Sequence, residues 1–208
     1  MTMKLMHKFF NNARKPEGFL GKIMVMGMNG CAHATMARWA LSQVDLQDAN
    51  DILDIGCGGG ANVARFLKMR PEAKVTGIDY SEVSVAKSRK VNNQAINEGR
   101  CQILEGNVAA LPFDDASFDF VSAFETVYFW PAIVDSFRQV RRVLRKDGRF
   151  LIVNEADGEG GGVEWDKIVE GMHTYTPQEL EAHLRDAGFQ KVDIIRDTKN
   201  HRLCVVAQ

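Results

Sequence analysis

Short apolar runs alternate along this chain with stretches whose apolar residues recur every three or four positions. Ile52, Leu53 and Ile55, then Ala73 to Asp79 around Val75, Thr76 and Ile78, read as buried strands. So do Cys101 to Gly106, Phe118 to Phe124, Arg149 to Glu155, Gln190 to Arg196 and Arg202 to Ala207. Helical spacing fills the intervals. It covers residues 33 to 46 through Met36, Trp39, Ala40, Leu41 and Val44, and the segment after Gly60 through Val63, Ala64, Phe66 and Leu67. It returns from Ser81 to about Asn97, from Ile133 to Leu144, from Trp165 to Met172 and from Leu180 to Ala187. Ser81 reads as an N-cap, and Thr176, Pro177 and Glu179 spell a capping box with proline at the first helical position. Lys146 to Gly148 reads as a turn, Gly188 as a helix stop and residues 156 to 163 as a glycine-rich loop at a pocket rim. The alternation predicts an α/β fold with helices on both faces of a doubly wound, seven-stranded sheet. The turn Asp197 to His201 is short enough for a hairpin, so one strand near the C-terminus is predicted antiparallel in an otherwise parallel sheet.

The densest local signal is Asp51 to Phe66. An apolar run ends in Gly56, Gly58, Gly59 and Gly60 and opens directly into a helix. Glycines suit a turn whose backbone bends where a Cβ would clash and where a ligand approaches the main chain. The helix behind it aims free N–H groups and a positive dipole end at that ligand. Gly56, Gly58 and Ala61 satisfy the dinucleotide fingerprint formally. Asp54 argues against that reading, because a carboxylate just before the turn would repel a pyrophosphate. A buried carboxylate calls instead for a cation or for hydrogen-bond donors, and an ammonium would suit it.

Composition narrows the picture. The 208 residues, 45% hydrophobic and 25% charged, fit one α/β domain, residues 33–208, behind an N-terminal arm, residues 1–32. The arm is apolar through Phe19, Leu20, Ile23, Met24, Val25, Met26 and Met28, which fits a lid over a pocket, a helix on the sheet edge or a homodimer contact. A net charge of −1 gives no pull toward nucleic acid or an anionic membrane. No apolar run is long enough for a membrane span or a signal peptide, so a cytoplasmic location is expected. The four cysteines are scattered without a C-x-x-C pair. They read as free thiols in a reducing compartment, with no metal site.

Five stretches taken in order, LDIGCGGG, GIDYS, NVAALPF, SFDFV and LRKDGRFLI, followed by a terminal hairpin, resemble the class I S-adenosylmethionine (SAM) methyltransferases. The resemblance is to a small bacterial, type 11 or ubiquinone-biosynthesis-like branch, and it covers residue 33 onward. It implies a Rossmann-like sheet, SAM as methyl donor with S-adenosylhomocysteine (SAH) as product, and a small-molecule acceptor. Asp54 with Gly56, Cys57, Gly58 and Gly60 would surround the methionine part, Cys57 only as a small residue tolerated in the turn. Asp79, ending the second strand, would accept the ribose hydroxyls, and Tyr80 would lie against the adenine. Asn107 stands where the family carries an acid for the adenine amine; its carbonyl can accept the same bond, while the Val108 N–H meets a ring nitrogen. Lys146 and Asp147 replace the Pro-Gly of the family's last motif. No Asn-Pro-Pro-Tyr-like segment follows the fourth strand, against a DNA amino-methyltransferase.

Beyond the fourth strand, Glu125 is more polar than packing needs and is read as a ligand residue. No motif fixes a catalytic group. The candidates are His33, Glu125, Tyr128, His173 and Tyr175, with Trp130 read equally as pocket lining or core. Two other classes stay open at this point: an NAD(P)-dependent Rossmann oxidoreductase, and a SAM-binding protein that does no chemistry.

Overall fold

The structure is a computed structural model, and it describes residue 17, residues 31–160 and residues 164–208. The arm at residues 1–32 falls outside the described residues, except for Glu17 and the first turn of the opening helix, as do residues 161–163 of the glycine-rich loop.

Seven strands form one sheet: β1 (Asp51–Ile55), β2 (Lys74–Asp79), β3 (Cys101–Glu105), β4 (Phe118–Phe124), β5 (Leu144–Asn154), β6 (Val192–Asp197) and β7 (Arg202–Ala207). Their spatial order is β3-β2-β1-β4-β5-β7-β6. The first five run parallel, and β7 is antiparallel to both of its neighbours, β5 and β6. The predicted fold class, with its single antiparallel strand, therefore holds. The chain starts at the centre, winds outward through β2 to β3, and returns beside β1 as β4. That reversal leaves a crevice at the carboxyl tips of β1 and β4, where open α/β sheets bind ligands.

Alternation along each strand splits the core into two layers. Ile52, Phe120, Leu151 and Val153 face one side, where α1 (Cys31–Leu41), α2 (Ala61–Met69) and α3 (Glu82–Val91) cover them through Met36, Ala40, Phe66 and Val85. Leu53, Val121, Phe150 and Ile152 face the other, under Phe137 and Val140 of α5 (Ile133–Val143) and Leu180 and Leu184 of α6 (Pro177–Asp186). The second layer centres on aromatics. Phe150 stacks on Trp130 at 6.0 Å and on Phe189 at 6.0 Å and meets Phe137 edge-on at 5.8 Å. The capping box forms as read: Thr176 Oγ1 accepts the Glu179 N–H, and the Glu179 carboxylate accepts the Thr176 N–H at 2.8 Å.

Four boundaries differ from the sequence reading, each for a side-chain reason. The first helix stops at Leu41 rather than at residue 46, because Ser42 Oγ and Gln43 Nε2 donate to the Trp39 carbonyl and close its last turn. The long helix expected from Ser81 to Asn97 breaks at Asn92 into α3 and the short α4 (Asn93–Asn97). Asn92 Nδ2 donates to the carbonyls of Ser88 and Gly60 and thereby ties the break to the glycine turn. The helix expected over Trp165 to Met172 shrinks to one 3-10 turn, Trp165–Lys167, because Asp166 folds back to accept the Thr174 N–H and hydroxyl. The turn Lys146 to Gly148 is absorbed as a bulge inside β5: Phe118 pairs with Leu144 and Phe120 already with Arg149.

Truncating Phe150 to alanine removes the ring on which Trp130 and Phe189 stack, so Phe150→Ala is expected to cost about 3–5 kcal/mol of stability. Urea unfolding followed by circular dichroism checks this, as a lower midpoint with an unchanged slope.

Candidate active site

The β1 turn is held from β2. The Ile78 carbonyl accepts the N–H groups of Gly56 at 2.8 Å and Cys57 at 3.1 Å, so the chain doubles back over the neighbouring strand tip. Gly56 has φ of 71°, and a Cβ there would lie 2.3 Å from Thr126 Cγ2 of the segment after β4. Gly60 is closed by the helix behind it, where a Cβ would meet Ser88 Oγ and Asn92 Nδ2 at 2.5 Å. Gly58 differs from both. Among the described residues, a Cβ there would meet nothing nearer than its own turn's Gly56 carbonyl at 4.0 Å. The turn is thus packed on its flanks and open at Gly58, the cradle a ligand would occupy. Cys57 turns its side chain inward, with Sγ 3.8 Å from Ser88 Oγ; burial pushes its thiol well up, so it is unreactive. Only its backbone stays at the turn. Cys101 and Cys204 are also buried free thiols.

Two buried carboxylates flank this cradle. Asp79 ends β2 at 7% exposure; its Oδ2 accepts the Gly58 N–H at 2.9 Å and its Oδ1 the Ser81 N–H at 2.9 Å. Burial raises its pKa, and these N–H donors oppose the rise. The Tyr80 N–H and the Ser84 hydroxyl donate to the same carboxylate, so the β2 tip gathers four donors around it. Asp54 is 2% exposed and sits across from Ser122 of β4, whose Oγ donates to Oδ1 at 2.7 Å. Burial lifts the Asp54 carboxyl to about 7, the nearby Asp79 adds to this, and the Ser122 bond and Arg65 of α2 oppose it. Of the two partners the sequence called for, a hydrogen-bond donor is present in Ser122. Asp54 is a half-titrated group at neutral pH, satisfied by a hydroxyl, and a neighbouring cation would complete its ionisation.

At the β3 tip, the Gly106 N–H donates to the Asp79 carbonyl at 3.0 Å, which brings Asn107 beside the β2 tip. Asn107 is exposed, and its Oδ1 accepts the Ala109 N–H at 3.0 Å, capping the 3-10 turn Val108–Ala110. One lone pair and the amide N–H₂ stay available. Val108 buries its side chain in the second core layer, and Tyr80 is half-buried after Asp79.

The β4 tip carries the most constrained group. Glu125 has φ of 61°, a left-handed conformation costly for a non-glycine residue. Its N–H donates to the Val153 carbonyl at 2.8 Å. Its Oε1 accepts both the Glu155 N–H and the Tyr128 hydroxyl, the latter at 3.3 Å. Burial lifts the Glu125 carboxyl to about 8, with Glu155 adding to the rise. Tyr128, 3% exposed, accepts the Ala156 N–H at 3.1 Å and is pushed well up by burial, so its phenol is neutral.

Of the catalytic candidates, the structure therefore brings Glu125 and Tyr128 together. His173 joins through its backbone, whose N–H donates to the Tyr128 carbonyl at 3.0 Å, and its ring meets Tyr175 edge-on at 4.4 Å. His33 stands apart in the first turn of α1, half-buried, with no hydrogen bond to these groups among the described residues. Trp130 belongs to the aromatic core and not to the pocket. Sequence reading missed Ser122, Thr126, Ser88 and Asn92, which shape the turn from other elements. It missed Arg196 too, whose guanidinium clamps Asp157 at 2.9 Å and Glu159 at 2.7 Å and so holds the loop after β5. It also missed Asn154 at the β5 tip, fully buried with neither amide atom partnered among the described residues. A serine inside FDFVSAF and an asparagine ending RFLIVN were the available signals, being polar residues in otherwise apolar strands.

Comparison with known proteins agrees with this geometry. A family model described as a methyltransferase domain matches residues 53–152. The chain is 33% identical to the 27-O-demethylrifamycin SV methyltransferase of Amycolatopsis mediterranei, over 70% of this chain and 56% of that one. It is 28% identical to the ubiquinone/menaquinone biosynthesis C-methyltransferase of Paracoccus denitrificans, over 90% and 84% of the two chains. The first curated relatives are longer, and the chain spans 27% to 56% of their length. Among solved structures, a SAM-dependent methyltransferase from Aquifex aeolicus superposes with a TM-score of 0.75 at 19% identity, over 89% of this chain and 97% of that one. Glycine turn, strand order and relatives converge: residues 53–152 match a methyltransferase domain, and the chain is similar in fold and sequence to the class I SAM-dependent methyltransferases.

Proposed function

We propose that this protein transfers a methyl group from SAM to a small-molecule acceptor. The observation that carries the reading is the cradle at Gly58, open above the turn among the described residues and bordered by the buried carboxyls of Asp54 and Asp79. Asp79 suits a ribose and Asp54 an ammonium, and a carboxyl at Asp54, just before the turn, disfavours the pyrophosphate of the dinucleotide alternative. Asp79 accepts the ribose hydroxyls, Tyr80 lies along the adenine, and Asn107 with the Val108 N–H meets its edge. Asp54, the turn through Gly56, Cys57, Gly58 and Gly60, and Glu125 surround the methionine part. SAM when bound supplies a methyl group already activated on a sulfonium. The chain's own task is to hold the acceptor in line with that methyl and to exclude water, the role of the walls built by Glu125, Tyr128 and the loop after β5. The small-molecule class of acceptor rests on the names of the rifamycin and quinone enzymes. Among the described residues, no helix is long and apolar enough to cross a membrane. A cytoplasmic location belongs to the same proposal.

Calorimetric titration tests the cofactor. SAM and SAH are expected to bind in the micromolar range and NADH not to bind. Asp79→Asn should weaken both adenosyl ligands by about 10- to 100-fold, the worth of hydrogen bonds to a charged group. NADH binding, or SAM binding indifferent to Asp79, would contradict the assignment.

Asp54 adds a pH dependence to the free protein. Its carboxyl rises from an ordinary 3.8 to about 7, so the folded state holds a proton that the unfolded state has lost across that window. The stability this contributes is fully present below about pH 4 and declines as pH rises to about 7, by at most about 1.4 kcal/mol per pH unit. Asp79 and Glu125 act in the same direction, so Asp54→Asn should flatten the decline without abolishing it. Thermal unfolding of both proteins from pH 4.5 to 7.5 reads this; parallel curves would refute it.

A further inference from the structure

The group at the β4 tip that the binding reading leaves underused is the free oxygen of Glu125. Both hydrogen bonds to this carboxyl fall on Oε1, from the Glu155 N–H and the Tyr128 hydroxyl, and among the described residues Oε2 has none. The residue is partly exposed, unlike the buried Phe124 before it and Val127 after it. Its neighbour Thr126 packs directly on Gly56 and donates its hydroxyl to the Ile55 carbonyl at 3.3 Å, so Glu125 borders the β1 turn itself. The left-handed backbone, pinned by the bond to the Val153 carbonyl, holds the carboxyl at the tips of β4 and β5, one residue from the Thr126 contact with the β1 turn. Strain of this kind at a strand tip, beside an unpaired carboxyl oxygen, points to a role for Glu125 in the site.

We propose that Glu125 is a charge-responsive proton acceptor: it gives up its proton when the sulfonium of SAM arrives beside it, and it takes the acceptor's proton when that charge disappears. This rests on the reading of the turn as a SAM site. In the step, an electron pair of the acceptor nucleophile forms the bond to the methyl carbon. The carbon–sulfur electrons return to sulfur, which becomes the neutral thioether of SAH. The proton lost by the nucleophile goes to Glu125 Oε2, so charge and atoms balance without another reactant. The acceptor class that needs such a group carries a proton on its nucleophile, as a hydroxyl or an enol does.

The surroundings of Glu125 set the direction. Glu155 at the end of β5 opposes its ionisation, as does burial, whereas the Glu155 N–H, the Tyr128 hydroxyl and Arg202 of β7 favour it. Without ligand the balance is a neutral carboxyl near pH 7, lifted to about 8. An adjacent positive charge reverses it. The ligands themselves separate this group from Asp54. SAM and SAH carry the same ammonium and carboxylate, so any response of Asp54 to the ammonium is common to both. Only the sulfonium differs.

The test is calorimetric titration of the wild-type protein with SAM and with SAH at pH 7, in two buffers of different ionisation enthalpy, which counts protons released on binding. SAM is expected to release roughly half a proton or more beyond SAH, a difference that vanishes above about pH 9. Glu125→Gln should remove the difference. Should that variant fail to fold, Tyr128→Phe carries the test: loss of the hydroxyl donor should move the pH midpoint of the difference upward, and an unmoved midpoint overturns the proposal. Equal proton release by the two ligands, or a difference that persists in a folded Glu125→Gln, also overturns it while leaving the cofactor reading intact. Binding by neither ligand overturns both.

Discussion

The tip of β2 is the fixed point of this structure. The Ile78 carbonyl takes two N–H groups of the glycine turn, the Asp79 carboxylate takes a third at Gly58, and the same carboxylate starts α3 at Ser81. The Asp79 carbonyl also receives the Gly106 N–H, so the β3 tip is moored there as well. A carboxylate at 7% exposure is costly, and these donors offset the cost only in this geometry. The turn can therefore keep Gly58 open without collapsing. The acid that shapes the cradle is also the one proposed to meet the ribose.

The opposite wall depends on a second carboxyl with another logic. Glu125 gathers the ends of β4 and β5 through hydrogen bonds to Glu155, Val153 and Tyr128. Tyr128 in turn joins Ala156 and His173, and Arg196 clamps Asp157 and Glu159 from β6. The bonds at Glu125 and Tyr128 come from backbone N–H groups and a buried phenol, which keep their strength, whereas the Arg196–Glu159 pair is solvent-accessible and weaker. The acceptor side is thus built on a cross-linked frame.

Much of the architecture was readable because it is local. The period-two runs fixed all seven strands, and Ser81 and Thr176 cap helices where the sequence put them. Asp54 to Gly60 and Asp79 could be brought together from strand order alone. What escaped was set by distant partners. Nothing near Asn92 announces that its amide reaches Gly60, 32 residues away, and breaks the helix there. The β5 bulge follows from Leu144 pairing with Phe118 before Arg149 pairs with Phe120. Trp130 looked as suited to the pocket as to the core; the left-handed turn at Ala132 and the stack on Phe150 decided for the core. The Ser122 hydroxyl that serves Asp54 escaped for the same reason, since it comes from 68 residues away on β4.

The most direct measurement of the central claim is a crystal structure of the protein grown with SAH. The account requires both ribose hydroxyls within hydrogen-bonding distance of the Asp79 carboxylate, the thioether chain lying over Gly58, and the adenine between Tyr80 and Val108. Adenosine density anywhere else on the sheet, or a Gly58 cradle bypassed by a ligand bound at another edge, would contradict it.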